Sequence, residues 1–142
     1  MALNENKSMK IVTRKIGPDY PPFIIAEMSA NHCGSISNAL KLIDEAKKCG
    51  VDAIKIQTYH PSELTLDSSE KDFVISDKKS LWKKRRLYDI YSEGYLPKEW
   101  HNKIFSHARK KKILCFSTPF DESSVDFLEK LKCPIYKIAS FE

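Results

Sequence analysis

The sequence is short of several features, and each shortage narrows its reading. No apolar run approaches the roughly 20 residues a membrane-crossing helix needs, and residues 1–20 contain no apolar stretch of signal-peptide length. A cytoplasmic chain with no membrane partner is the expectation. The four cysteines, Cys33, Cys49, Cys115 and Cys133, form no C-x-x-C pair. Without an export signal they are expected to be reduced thiols, with Cys49 and Cys115, in apolar segments, serving as small core residues. The four histidines show neither H-x-x-x-H nor H-E-x-x-H spacing, so no metal site is expected within the chain. The net charge of +5 is concentrated in Lys83-Lys84-Arg85-Arg86 and Arg109-Lys110-Lys111-Lys112. Nucleic-acid binding would call for interleaved aromatics and a recognisable motif. Only Trp82 and Tyr88 flank the first run, so both read as solvated surface.

What the sequence does contain is a globular composition, 42% hydrophobic and 30% charged, in 142 residues, long enough for one real core. Residues 1–22 are polar and end in Gly17-Pro18-Asp19-Tyr20-Pro21-Pro22, which is loop chemistry. The part from Lys10 to Ile16 can form a hairpin strand. Four apolar runs follow: Phe23–Met28, Ala53–Gln57, Ile113–Ser117 and Ile135–Ser140. They are continuous rather than alternating, the mark of strands covered on both faces in a parallel sheet.

Helical patterns lie between them. Ile36, Leu40, Ile43 and Lys47, with Ala39 and Ala46, share a face, capped by Ser35 or Ser37 and closed by Gly50. Pro97 opens a helix whose face is Trp100, Ile104 and Ala108. Asp121 caps another, with Val125, Leu128 and Leu131 facing one way. The order β-α-β-α-β-α-β means an α/β fold. It suits either a doubly wound open sheet or the first four units of a barrel, which spends roughly 31 residues per unit. The interval from Lys55 to Ser117 is about twice one such unit, and the excess forms a long loop at 58–95. Leu81-Trp82 and Leu87–Tyr91 predict that this loop is an ordered lid with a short helix.

The informative residues are polar ones at strand ends: Glu27; Lys55 and Gln57; Ser117 and Thr118; Lys137, Ser140 and Glu142. A core would not choose them, since a lone buried charge is costly. At the C-terminal mouth of a barrel they would converge, and two lysines with hydroxyls suit a small, multiply charged anion. The pattern also admits internal pairing of Glu27 and Glu142 with Lys55 and Lys137. Asn31-His32-Cys33-Gly34 forms the first βα loop. Its Asn and Gly suit an ordinary turn, and His32 is either structural or part of the functional face.

Phe23-Ile24-Ile25-Ala26-Glu27 with Asn31-His32 and Gly34, Ala53–Thr58, Phe116–Phe120, and Tyr136–Ser140 with Glu142 resemble, in order and spacing, the sialic acid synthase family. Residues 80–83, 87–91 and 97–101 resemble the branch of that family whose sugar is a 2,4-diacetamido-2,4,6-trideoxy-altrose. The resemblance covers about residues 10–142. It implies that residues 23–142 are the N-terminal half, about four β/α units, of a TIM-type (β/α)8 barrel, preceded by the 1–22 extension. It implies a transferase that joins phosphoenolpyruvate to an N-acetylated amino sugar and releases phosphate. Lys55 and Thr118 would hold the phosphoenolpyruvate carboxylate, and Lys137 and Ser140 its phosphate. Glu27 and Gln57 would lie near the sugar, Glu27 also handling protons, with lesser roles for Asn31 and Glu142.

The resemblance further implies a divalent metal, Mn2+ or Mg2+, held by histidines beyond Glu142, and a homodimer completed by an antifreeze-like domain. The chain by itself is therefore expected to be inactive, and an unclosed half-barrel to self-associate or pair with a complementary half. Other members of the family, acting on neuraminate or legionaminate precursors, and a non-catalytic remnant are the alternatives. One departure stands out: Lys84 occupies a position where the family usually has glycine.

Overall fold

The computed structural model describes residues 8–139. A hairpin comes first, β1 (Met9–Ile11) paired antiparallel with β2 (Arg14–Ile16). The Arg14 guanidinium anchors it to the rest of the molecule. It forms an ion pair with Asp52, donates to the Pro21 and Pro22 carbonyls at 3.3 and 3.0 Å, and lies 5.5 Å from the centre of the Phe23 ring.

Three parallel strands then build the sheet: β3 (Ile25–Glu27), β4 (Ala53–Thr58) and β5 (Leu114–Pro119), side by side in chain order. The connecting helices α1 (Ile36–Lys48) and α4 (Lys98–Lys111) pack on the sheet and on each other, so both cover the same face. Strands added in sequence with every crossover on one side are the winding of a barrel; a doubly wound sheet reverses direction and has helices on both faces. After α5 (Glu122–Lys130), the next segment joins the far side of β5 through a parallel bridge between Ser117 and Tyr136.

The core lies between sheet and helices. Ile54, Ile56 and Cys115 meet Ala39, Ile43, Ile104, Phe105, Ala108 and Leu128. Helix ends follow local chemistry. Ser35 caps α1 by accepting from the Asn38 N–H, Gly50 follows the cap with φ 76, and Asp121 caps α5 by accepting from the Ser124 N–H at 2.8 Å.

Several expectations need correction. The first strand is shorter than Phe23–Met28 because Pro21 and Pro22 lack N–H groups, and the Ile24 N–H donates to the Asp52 carboxylate at 2.7 Å. The fourth predicted strand contributes one bridge, since among the described residues it has a sheet partner on one side alone. Cys49 is exposed at the C-cap of α1, and Cys133 is buried. Burial pushes the Cys115 thiol up to about 12, so it is an inert core group. Val125 is exposed, and the inward face of α5 is Ser124 and Leu128.

The 58–95 insertion is ordered but differently held. It contains α2 (Pro61–Leu64), a 3-10 turn at Lys71–Phe73 and α3 (Leu87–Gly94). Leu81 is 95% exposed and Trp82 half-exposed, so they do not pack it down. Its basic run does: Arg86 pairs with Asp67 at 2.6 Å and Asp89 at 2.5 Å, and Arg85 pairs with Glu93. Lys84, where the family usually has glycine, has φ 66. A Cβ there is strained, by roughly 1–2 kcal/mol for an L-residue. Lys84→Gly relieves that strain at the expense of a looser unfolded chain. The expected net gain is about 0.5 kcal/mol, seen as slower amide exchange at Ile75 and Lys84, whose backbones pair in this turn. Exchange that becomes faster would show that the lysine side chain, not the backbone, holds the turn.

Candidate active site at the C-terminal end of the strands

On parallel strands, laterally paired residues share a face and successive residues alternate. The register therefore sorts the polar residues. Ile54, Ile56 and Thr58, with Cys115 and Ser117, face the helices; Glu27, Lys55 and Phe116 form one row of the opposite face, and Gln57 and Thr118 the next row toward the strand ends. Tyr136 pairs with Ser117, so Lys137 continues the Gln57–Thr118 row, with its N–H donating to the Ser117 carbonyl at 3.1 Å. Glu27, Lys55, Gln57, Thr118 and Lys137 are thus gathered on one face. Ser140 and Glu142 lie outside the described residues.

Lys55 is 6% exposed, and its ammonium is 3.3 Å from the Glu27 carboxylate, which is itself largely exposed. The internal pairing admitted by the sequence is real for this couple. Thr118 supplies the other notable feature. Its hydroxyl oxygen is buried and has no hydrogen-bond partner. Native interiors rarely leave such a group unpaired unless a ligand or water completes it. Gln57 is half-buried beside it and Lys137 is exposed. A threonine hydroxyl and two ammonium groups on one face are chemically suited to an anionic ligand.

Asn31 takes a structural part: its side-chain amide donates to the Met28 carbonyl at 2.9 Å and closes the turn after β3. His32 is fully buried. The Gly34 N–H donates to its Nδ1 at 3.2 Å, which puts the proton on Nε2, and Nε2 donates to the Gly94 carbonyl at 3.3 Å. Burial lowers its basicity. This bond ties the first βα loop to the end of α3. A Cβ at Gly94 would lie 3.3 Å from the Ala30 side chain, so glycine permits that approach. Tyr59 adds a hydroxyl donated to the Tyr91 carbonyl at 3.3 Å. The insertion is therefore a wall fixed to the strand-end loops.

Ser117, expected at the mouth, points away from it because it alternates with Thr118. Its hydroxyl joins a buried chain with Thr58 and His101 that sequence reasoning missed. The Pro97 carbonyl can only accept, so the His101 Nδ1–H donates to it at 3.0 Å. His101 Nε2 then accepts the Thr58 hydroxyl at 2.8 Å, and Thr58 accepts from Ser117 at 2.7 Å. The one available signal was a histidine four residues after Pro97, on the face that also carries Ile104 and Phe105. No three His, Cys, Asp or Glu side chains come together to hold a metal ion among the described residues, and no helix among them is long and apolar enough to cross a membrane.

The NeuB family model matches residues 42–142, most of the chain and both of the longer site strands. The chain belongs to the NeuB family. Among curated members of the family it is 55% identical over 124 residues to the pseudaminic acid synthase of Campylobacter jejuni, covering 87% of this chain and 36% of that protein. It is 45% identical over 122 residues to the pseudaminic acid synthase of Helicobacter pylori, covering 86% and 35%. Against solved structures it superposes on an N-acetylneuraminic acid synthetase from Leptospira borgpetersenii, crystallised with citrate, with a TM-score of 0.74 at 30% identity, covering 93% of this chain and 41% of that one. This NeuB chain thus spans about a third of the length of the curated relatives it matches, and its α/β fold is part of a TIM-type barrel domain.

Burial holds the His101 imidazole neutral, with its pKa lowered from 6.5 to about 4. The unfolded chain accepts this proton first, so acid favours unfolding through the whole window between those two values. Between pH 7 and about pH 4.5, wild-type protein is expected to lose roughly 2 kcal/mol more stability in urea than His101→Gln. His32 titrates in both proteins and cancels in the comparison. Equal losses would show that His101 is already charged in the fold.

Proposed function

We propose that this chain forms the phosphoenolpyruvate-binding part of a pseudaminic acid synthase. The activity is condensation of phosphoenolpyruvate with a 2,4-diacetamido-2,4,6-trideoxy-altrose. The enol carbon bonds to the sugar aldehyde carbon, water adds at C2, and the intermediate loses phosphate, leaving a nine-carbon 2-keto sugar acid. The observation that carries this reading is the buried, unpartnered Thr118 hydroxyl, set in one row with Gln57 and Lys137 and one row from the Glu27–Lys55 pair. The 55% identity to the Campylobacter enzyme supports this sugar over those of the legionaminic acid synthases, at 33% and 35%.

In this reading Lys55 and Thr118 hold the carboxylate, and Lys137 with Ser140 the phosphate. Lys55 is nearly dry, so its charge acts on the ligand at full strength rather than through water. Glu27, exposed at the end of β3, faces the sugar beside Gln57 and accepts or delivers the proton of the reacting oxygen. Asn31 shapes the rim, and Glu142 takes a lesser part in substrate binding. Mn2+ or Mg2+ finds no ligand set among the described residues. The working enzyme is a homodimer, and the sugar reacts only when the rest of the barrel is supplied.

Calorimetric titration of the chain with phosphoenolpyruvate tests the anion site. Binding is expected, and it should weaken at least tenfold, about 1.4 kcal/mol, in both Lys55→Ala and Thr118→Ala. Affinity untouched by either substitution would sink the assignment. Exchanging this chain for the matched third of the Campylobacter enzyme tests the chemistry. The hybrid is expected to release phosphate with the trideoxy-altrose substrate and to fail with Lys55→Ala; preference for another sugar would overturn the choice of substrate.

A further inference from the structure

We propose that His101, acting through Thr58 and Ser117, is a positioning residue for the anion site on the other face of the sheet. The proposal rests on the reading of that site given above. His101, Thr58 and Ser117 are each 0% exposed, and none lies on the site face. Apolar side chains would fill that part of the core without desolvation of polar groups, so the trio needs a reason beyond filling space. Its hydrogen bonds run one way. Pro97 accepts from His101, His101 from Thr58 and Thr58 from Ser117 at 2.7 Å, with the Ile56 carbonyl a more distant acceptor for Ser117 at 3.3 Å. A fully satisfied polar chain in a dry core has one arrangement and resists slippage.

The arrangement acts where the ligand groups are mounted. Thr58 follows Gln57, and Ser117 precedes Thr118, so each network residue is the immediate neighbour of a site residue. The Ser117 carbonyl also receives the Lys137 N–H at 3.1 Å. One chain therefore locks the ends of β4 and β5 to the first turn of α4 and sets the depth from which Gln57, Thr118 and Lys137 project. Sites of this kind tolerate errors of about 0.5 Å. The tautomer is essential to the device: Nδ1 must donate and Nε2 must accept, which only the neutral ring does.

The test is NMR and calorimetry on the 142-residue chain, with phosphoenolpyruvate as the probe. In wild type, long-range 1H–15N spectra are expected to show His101 protonated on Nδ1 alone at about pH 7. His101→Phe and Thr58→Val should shift the backbone amides of Gln57, Thr118 and Lys137 and weaken phosphoenolpyruvate binding roughly tenfold. His101→Gln, which keeps an acceptor for Thr58, should recover most of that loss. If His101→Phe does not fold, Thr58→Val carries the test, since it keeps the shape and removes one hydroxyl. Shifts confined to α4, unchanged affinity in Thr58→Val, or a glutamine variant no better than phenylalanine would each overturn the proposal. Thr118→Ala, which removes a ligand contact and leaves the chain intact, separates the two readings. If wild type does not bind the probe, the site reading fails, and the amide shifts alone decide whether the network positions those residues.

Discussion

The parallel register of β4 against β5 decides nearly everything about this molecule. Six consecutive residue pairs, from Ala53 with Leu114 to Thr58 with Pro119, assign each side chain to one of two faces. One face carries Ile54, Ile56 and Cys115 into the helices and supplies the hydrophobic core. The other carries Lys55, Gln57 and Thr118 and supplies the candidate site. Because side chains alternate strictly, a slip by one residue would bury Gln57 among the helices and turn Ile56 to the opposite face. Core and site cannot be altered independently.

That coupling explains the polar atoms placed where burial is expensive. Lys55 is tolerated because Glu27 lies 3.3 Å away. The His101–Thr58–Ser117 chain is tolerated because each of its donors finds an acceptor. Thr118 differs, since its hydroxyl is left without a partner. The contrast between satisfied and unsatisfied polar groups, on opposite faces of the same two strands, distinguishes scaffold from candidate site better than polarity does.

The insertion at 58–95 shows how a long connection becomes part of a scaffold without a core of its own. Its basic residues face acidic neighbours within the same segment, and its end is fastened by His32 to the Gly94 carbonyl. The charge run that looked like solvated surface is half structural: Arg85 and Arg86 are paired, while Lys83 and Lys84 remain exposed.

Much of this was legible in the chain itself. Continuous apolar runs marked β4 and β5 as parallel strands, a cap at Asp121 and one at Ser35 or Ser37 were chemically evident, and Glu27, Lys55, Gln57, Thr118 and Lys137 stood out as polar groups in apolar surroundings. These are local properties, set by side-chain chemistry and by the period of each element. Which side of the sheet each polar residue occupies was not local. Ser117 and Thr118 are adjacent and chemically alike, yet one joins His101 in the core and the other lies on the opposite face of the sheet. His32 read as either structural or functional, and His101 did not stand out at all, until their partners, Gly94, Pro97 and Thr58, were brought beside them. Those partners lie up to 62 residues away, and only the closing of strands and helices around one core decides such meetings.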